Sequence, residues 1–173
     1  MLITPCTQED LPVILALYDA ARAYQRSKQY NVWPPFDLAL TAAEVKEQRL
    51  YKIEIEGEIA CIFSIVYNEP PIVWKDAEEN TAIYLHRIAT NPAFKGRRLL
   101  TPIIEWSRTH ARDIHRSLIR MDTWADNDNL TAYYVGYGFK LLGTSYMPAE
   151  EAKAAGLPGH YWDNTANLFE MNI

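Results

Sequence analysis

The segment Thr90–Thr101, TNPAFKGRRLLT, gathers the features of an anion site. A strand-like run ends in a proline turn, a Lys-Gly pair follows, and a helical stripe opens directly after it. The first amides of a helix have no partner within the helix, and its dipole adds positive potential at that end. Gly96 allows a positive φ or a close backbone approach. Lys95, Arg97 and Arg98 add three cations. A pyrophosphate carried by a nucleotide-like cofactor fits such a turn. Neither a Walker loop nor a GxGxxG string is present. Basic residues in a solvated turn would give the same string, so the segment alone does not decide.

The second candidate is Asn127–Phe139, NDNLTAYYVGYGF. Asn127 opens a predicted helix and Tyr134 follows two turns later, so both side chains can face one way. A tyrosine hydroxyl, with an ordinary pKa of about 10, can hand a proton to a departing thiolate. An amphipathic helix with core tyrosines accounts for the same spacing.

Together the two segments resemble the GNAT superfamily, which moves an acetyl group from acetyl-CoA to an amine. The family loop, a proline turn followed by a basic, glycine-containing stretch, corresponds to Thr90–Leu100. The later family motif corresponds to Asn127, Tyr134, Gly138 and Phe139. The segment NVWPPF at residues 31–36 is also similar to small bacterial members. Lys95 replaces the usual Arg or Gln. Arg98 stands at the second loop glycine and Leu100 at the third small residue, so the loop is bulkier than the family pattern.

The resemblance implies a single domain over residues 1–173, in the α+β class: a central mixed β-sheet flanked by helices on both faces. It also implies the site. Backbone groups around Ile88 and Thr90 would hold the pantetheine and polarise the thioester carbonyl. The turn Lys95, Gly96, Arg97, Arg98, Leu99 and Leu100 would hold the pyrophosphate. Asn127 would contact the pantetheine arm, and Tyr134 would protonate the thiolate. The cofactor would be acetyl-CoA, the partner an amine acceptor, and catalysis would need neither metal nor covalent enzyme intermediate. A non-catalytic CoA-binding module and a protein that keeps only the fold remain open alternatives. A homodimer is also left open.

An attacking amine must lose a proton. Period-two alternation places Ala82, Tyr84, His86 and Ile88 on one strand face. Ala82 stands near the place where many relatives carry a glutamate. His86 matches the mid-strand histidine of others and has an ordinary imidazole pKa of about 6.5. Water and the acidic field are the competing proton acceptors. Trp33, Phe36, Tyr67, Trp74 and Trp162, with Glu69, Asp76, Glu78 and Glu79, are candidates for an aromatic, acidic mouth that would suit a cation.

These side chains need a scaffold, and the chain reads as β α α β β β α β α β β. The strands are Met1–Thr4, Tyr51–Glu56, Ile59–Tyr67, Thr81–Thr90, Leu118–Trp124, Phe139–Leu142 and Ala166–Ile173, with a helical turn at Glu150–Gly156. Helices follow Thr7-Asp10, begin near Thr41, and span Asp126–Val135. Another starts close to Arg98, because Pro102 is tolerated only in a first turn. A hairpin in the first half predicts antiparallel pairing, and strand–helix–strand units in the second predict parallel pairing.

With 173 residues, 49% hydrophobic and 23% charged, the composition is that of a globular chain. The net charge is −5, which argues against general nucleic-acid binding. Residues 95–120 carry seven Lys and Arg against two Asp and Glu, whereas the flanking segments are acidic. That island fits an anionic ligand. The arginines 108, 112, 116 and 120 within it read as a solvated face rather than a nucleic-acid stripe. Cys6 and Cys61 form no disulfide framework. His110 and His115, five apart, do not make a metal pair. No membrane span or signal sequence is visible, so a cytoplasmic location is expected.

Overall fold

The computed structural model describes residues 2–75 and 78–173. Strand β1 (Leu2–Pro5) is followed by helices α1 (Leu11–Ser27) and α2 (Leu38–Lys46), then by β2 (Leu50–Ile55), β3 (Glu58–Val66) and β4 (Ala82–Thr90). The second half runs α3 (Leu100–Asp113), β5 (Leu118–Trp124), α4 (Asp128–Gly136), β6 (Lys140–Met147), α5 (Ala149–Ala154) and β7 (Asn164–Asn172). The strands form a seven-stranded sheet in the order β1-β2-β3-β4-β5-β7-β6. β4 and β5 pair in parallel, and β1-β2, β2-β3, β5-β7 and β7-β6 are antiparallel. This is the mixed sheet of the α+β class that the element order predicts, except that the parallel pairing expected of the β5–α4–β6 unit is absent, because β7 lies between β5 and β6 and is antiparallel to both.

The chain divides into two compact units. The first comprises Met1–Ile65 and His86–Trp106. Its helix α1 carries Pro12 in the first turn, where a missing amide costs nothing. It buries Ile14, Leu17 and Tyr18 against Val45, Leu50, Ile59 and Ile62, with Trp33 and Phe36 closing the cluster. Asp37 caps α2 by accepting from the Leu40 amide at 2.9 Å. Helix α3 begins at Leu100, two residues after Arg98, and Pro102 falls in its first turn as its tolerance requires. The β2–β3 hairpin turns at Glu56-Gly57, both residues having positive φ (54° and 83°). That is the backbone a two-residue hairpin loop needs to match the strand twist.

The second unit comprises Val66–Leu85 and Ser107–Ile173. β5 and β7 pair from Leu118↔Asn172 to Trp124↔Ala166. Val73, Trp74, Tyr84, Met147, Ala152 and Ala166 form a buried cluster. β6 is eight residues long, not the four expected at Phe139–Leu142, and it carries a register shift between Leu141 and Gly143. Gly143, Thr144 and Ser145 weaken the apolar alternation that sequence reading depends on.

Three of the four arginines in the series do not form a solvated face, while Arg112 is exposed as expected. Arg116 donates to the carbonyls of Tyr67 and Ala82 and to Asn80, and stacks on the Tyr67 ring. Arg120 meets its cross-strand partner Glu170 through Nε and Nη2 at 2.8 Å each, and lies over Trp74. Arg108 directs Nη2 at Met171 Sδ, 3.2 Å away. These guanidiniums spend their donors on the fold.

In the first unit Asp10 accepts from the Thr7 amide (2.7 Å) and from Lys52 Nζ (3.0 Å). Burial raises its pKa, but the Thr7 and Lys52 hydrogen bonds outweigh that and hold it below the usual carboxylate value. A depressed carboxylate stabilises the fold above its unfolded-state pKa, and the contribution is lost as pH falls through the folded value. Asp10→Asn is therefore expected to cost about 1 kcal/mol at neutral pH. The gap from the parent should close as denaturation curves are taken down through the carboxylate range.

Candidate functional site

The basic turn is built by its own backbone. Asn91 ties the end of β4 to β3: its amide donates to Ala60 O at 2.9 Å and its side chain to Ile59 O at 3.0 Å. Its Oδ1 accepts from Ala93, starting a short 3-10 turn at Pro92–Phe94. The backbone bonds that follow run through Phe94, Lys95, Arg97 and Thr101. Among the described residues, the amides of Gly96, Leu99 and Leu100 take no part in that network. Gly96 has φ +84°, and a Cβ there would meet nothing within 4 Å, so its need is conformational rather than steric.

Arg98 has φ +53°. The position where the family pattern has glycine keeps glycine's backbone here, and an arginine adopts it at a cost of about 1–2 kcal/mol. Lys95, Gly96, Arg97 and Arg98 are exposed, whereas Leu99 and Leu100 are buried at 4% each and anchor the helix start. Lys95 Nζ lies 5.7 Å from the Tyr24 ring centroid. The turn therefore presents open amides and a cluster of cations at the first turn of α3, a donor set that matches a diphosphate.

His86, Ile88 and Thr90 occupy the second half of β4, and His86 and Ile88 are half-buried. The predicted single face from Ala82 to Ile88 does not hold. Arg87, inside the strand, has φ +49°. A left-handed residue breaks the two-residue pleat, so the alternation stops at that point. The Thr90 hydroxyl lies 3.7 Å from Cys61 Sγ. Cys6 and Cys61 are buried thiols whose pKa is pushed up to about 12 by burial. They stay protonated near neutrality and are poor nucleophiles.

Asn127 and Tyr134 belong to the second unit. Asn127 caps α4, its Oδ1 accepting from the Leu130 amide at 3.0 Å. Asn167 Nδ2 donates to Thr131 Oγ1 at 2.9 Å and fixes the same helix to β7. Tyr134 is 8% exposed, its ring against Phe139 and Phe169. The Asn-to-Tyr spacing therefore belongs to one capped helix whose tyrosine is oriented by rings.

The expected aromatic mouth is revised. Trp74 is 4% exposed and stacks edge-on to Tyr84, so it is core. Trp33 and Phe36 pack on Tyr18 in the first unit. Tyr67 shares a 3.0 Å hydrogen bond with His110 Nε2 in the second unit. Trp162 is exposed and donates to Leu157 O. Glu78 and Glu79 are exposed and Glu69 is half-buried, while Asp76 lies outside the described residues. Among the described residues, no group of three His, Cys, Asp or Glu side chains could hold a metal ion, and no helix is long and apolar enough to cross a membrane. The residue missed in the sequence is Arg87. Its only signal there is a charge in the middle of an otherwise apolar strand.

No family model matches the chain. It is 23% identical over 146 residues, 80% of its length and 81% of the relative's, to the uncharacterized N-acetyltransferase YesJ of Bacillus subtilis. A GNAT-family acetyltransferase from Listeria monocytogenes has a matching structure, with a TM-score of 0.75 at 20% identity, covering 99% of this chain and 94% of that one. The Salmonella typhimurium protein yncA, solved with its cofactor acetyl-CoA, matches with a TM-score of 0.67 at 14% identity over 99% and 93% of the two chains. The fold is that of the GNAT acetyltransferases.

The strain at Arg98 can be tested without any ligand. Arg98→Gly is expected to hold or raise stability by up to about 1 kcal/mol, and the β-branched Arg98→Val to lower it by a similar amount. Thermal melts of the two variants check the order.

Proposed function

We propose that this protein is an acetyl-CoA-dependent N-acetyltransferase, moving an acetyl group to a primary amine of a small molecule or a peptide by direct attack. The observation that carries this reading is the turn Lys95–Leu100. It combines open amides at Gly96, Leu99 and Leu100, left-handed backbone at Gly96 and Arg98, and three exposed cations at the start of α3. The relatives of matching fold support it.

When bound, the cofactor supplies an acetyl group activated as a thioester. In this reading the amides of Gly96, Leu99 and Leu100 bind its diphosphate, with Lys95, Arg97 and Arg98 adding charge. Backbone groups at Ile88 and Thr90 hold the pantetheine arm and polarise the carbonyl. Asn127 has committed Oδ1 to the helix cap, so its amide NH2 is what it offers the arm. His86, half-buried on β4, takes the proton that the amine loses as its new N–C bond forms, directly or through water. Tyr134 gives its proton to the sulfur as the C–S bond breaks. Its ring is buried against Phe139 and Phe169, which fixes its orientation. The protonated thiols Cys6 and Cys61 are left out, in keeping with transfer that needs no acetylated enzyme.

Calorimetric titration with acetyl-CoA and with CoA at two salt concentrations tests the cradle. Binding is expected, weaker at high salt because exposed cations are screened, and Lys95→Glu with Arg97→Glu should weaken it at least about tenfold. Absence of binding at millimolar cofactor would remove the reading.

Tyr134→Phe should lower turnover by about a hundredfold while CoA affinity stays the same. Parallel loss of both would remove Tyr134 as the acid. His86→Ala should erase the limb of the pH–turnover profile that rises near neutrality, and an unchanged profile would leave water as the proton acceptor.

A further inference from the structure

Arg87 stands inside β4 with φ +49°, a backbone that non-glycine residues rarely adopt. Such strain persists only where the surroundings hold it, and here they can be named. Arg87 Nη2 donates to Glu44 Oε1 at 2.6 Å and to Ser64 Oγ at 3.1 Å. Its guanidinium carbon lies 5.9 Å from the Tyr18 ring centroid and 5.7 Å from that of Phe36. Glu44 belongs to α2, Ser64 to β3 and Tyr18 to α1, while Phe36 lies in the segment joining the two helices. One side chain thus ties four parts of the first unit to the middle of β4.

The hold is strong enough for the strain. The Arg87 and Glu44 side chains are 23% and 16% exposed, and Ser64 is buried. Loss of either partner would leave the other's charge unpaired and partly desolvated, which favours keeping the strained backbone in place. The ion pair itself does not require a left-handed residue, since an arginine on a regular strand can pair with a carboxylate. What the left-handed residue adds is the break between His86 and Ile88, which re-aims everything that follows in the strand.

We propose that Arg87 is a positioning residue: pinned by Glu44 and Ser64, it holds the break in β4 that sets the His86–Thr90 backbone, and the same contacts hold the Trp33–Phe36 segment to it. The proposal rests on the acetyltransferase reading, in which that backbone carries the thioester carbonyl.

Arg87→Gly tests it, because glycine takes the backbone without strain and loses only the clamp. Arg87→Lys and Glu44→Gln accompany it. Each variant is measured by thermal melting, acetyl-CoA titration, steady-state acetyl transfer, and hydrogen exchange at residues 31–37 and 86–90. Arg87→Gly is expected to fold and to lose cofactor affinity by no more than a few-fold, since the Lys95–Leu100 turn is untouched and only the contacts at Ile88 and Thr90 are disturbed. Its kcat should fall at least about tenfold, because small misplacements of a reacting group are costly. Exchange should rise in both segments together. Arg87→Lys should recover part of kcat, and Glu44→Gln should reproduce part of the loss.

An unchanged kcat in folded Arg87→Gly, or a loss that only follows the unfolded fraction, would overturn the proposal. If the parent protein itself neither binds acetyl-CoA nor transfers acetyl, the functional reading fails and exchange decides the clamp alone. A joint rise at 31–37 and 86–90 in Arg87→Gly and Glu44→Gln then upholds the clamp, and a rise in neither overturns it.

Discussion

The first unit is organised around a guanidinium that has no regular place in a β-strand. Arg87 reaches Glu44, Ser64 and two aromatic rings, and the strand beneath it gives up its pleat there. A strand can terminate its alternation with glycine at little cost. Using arginine couples the break to α1, α2 and β3, so the backbone geometry of β4 depends on the packing of three other elements. The aromatic segment NVWPPF is held in the same arrangement: Trp33 and Phe36 close on Tyr18, and the Trp33 carbonyl accepts from Arg22 at 3.0 Å.

A second left-handed arginine follows in the same unit, at Arg98. It differs from Arg87 in having an exposed side chain, on the Lys95–Leu100 turn. Glycine at this position would relieve the backbone, but it would remove a cation from a turn with three. In the proposed reading, the roughly one to two kcal/mol of strain is offset by a charge placed beside open amides. The missing family glycines therefore do not by themselves close the turn: its backbone still follows the glycine path.

The element order, the parallel β4–β5 pair, the β2–β3 hairpin and the helix start fixed by Pro102 could all be read from periodicity and punctuation. These are local signals, and each reports on a few neighbouring residues. What was illegible is what tertiary contacts impose. The one-face alternation of β4 fails at Arg87 because partners 23 and 43 residues away hold a conformation that local propensity disfavours. The arginines 108, 116 and 120 look solvated in the sequence because their acceptors, the Met171 sulfur, the Tyr67 carbonyl and Glu170, are distant in the chain. Trp74 looks like an entrance residue for the same reason. For the site itself, the turn and the Asn–Tyr helix were visible as motifs. The residue that shapes the strand leading into that turn was not.

The distribution of titratable groups fits the same economy. Both thiols are buried and raised to about 12, so neither competes as a nucleophile near neutral pH. Desolvation lowers the pKa of His110 and of His160, favouring neutral rings; one shares a hydrogen bond with Tyr67, and the other stacks on Trp124 and Tyr161. Two of the four histidines and both cysteines are thereby absorbed into packing. His86 stays on the strand whose course Arg87 sets, one residue before the break. In the proposed reaction, orienting a thioester and moving single protons would need little more than that from the chain. It would need the strand to be held still, and the half-buried Arg87–Glu44 pair sits there.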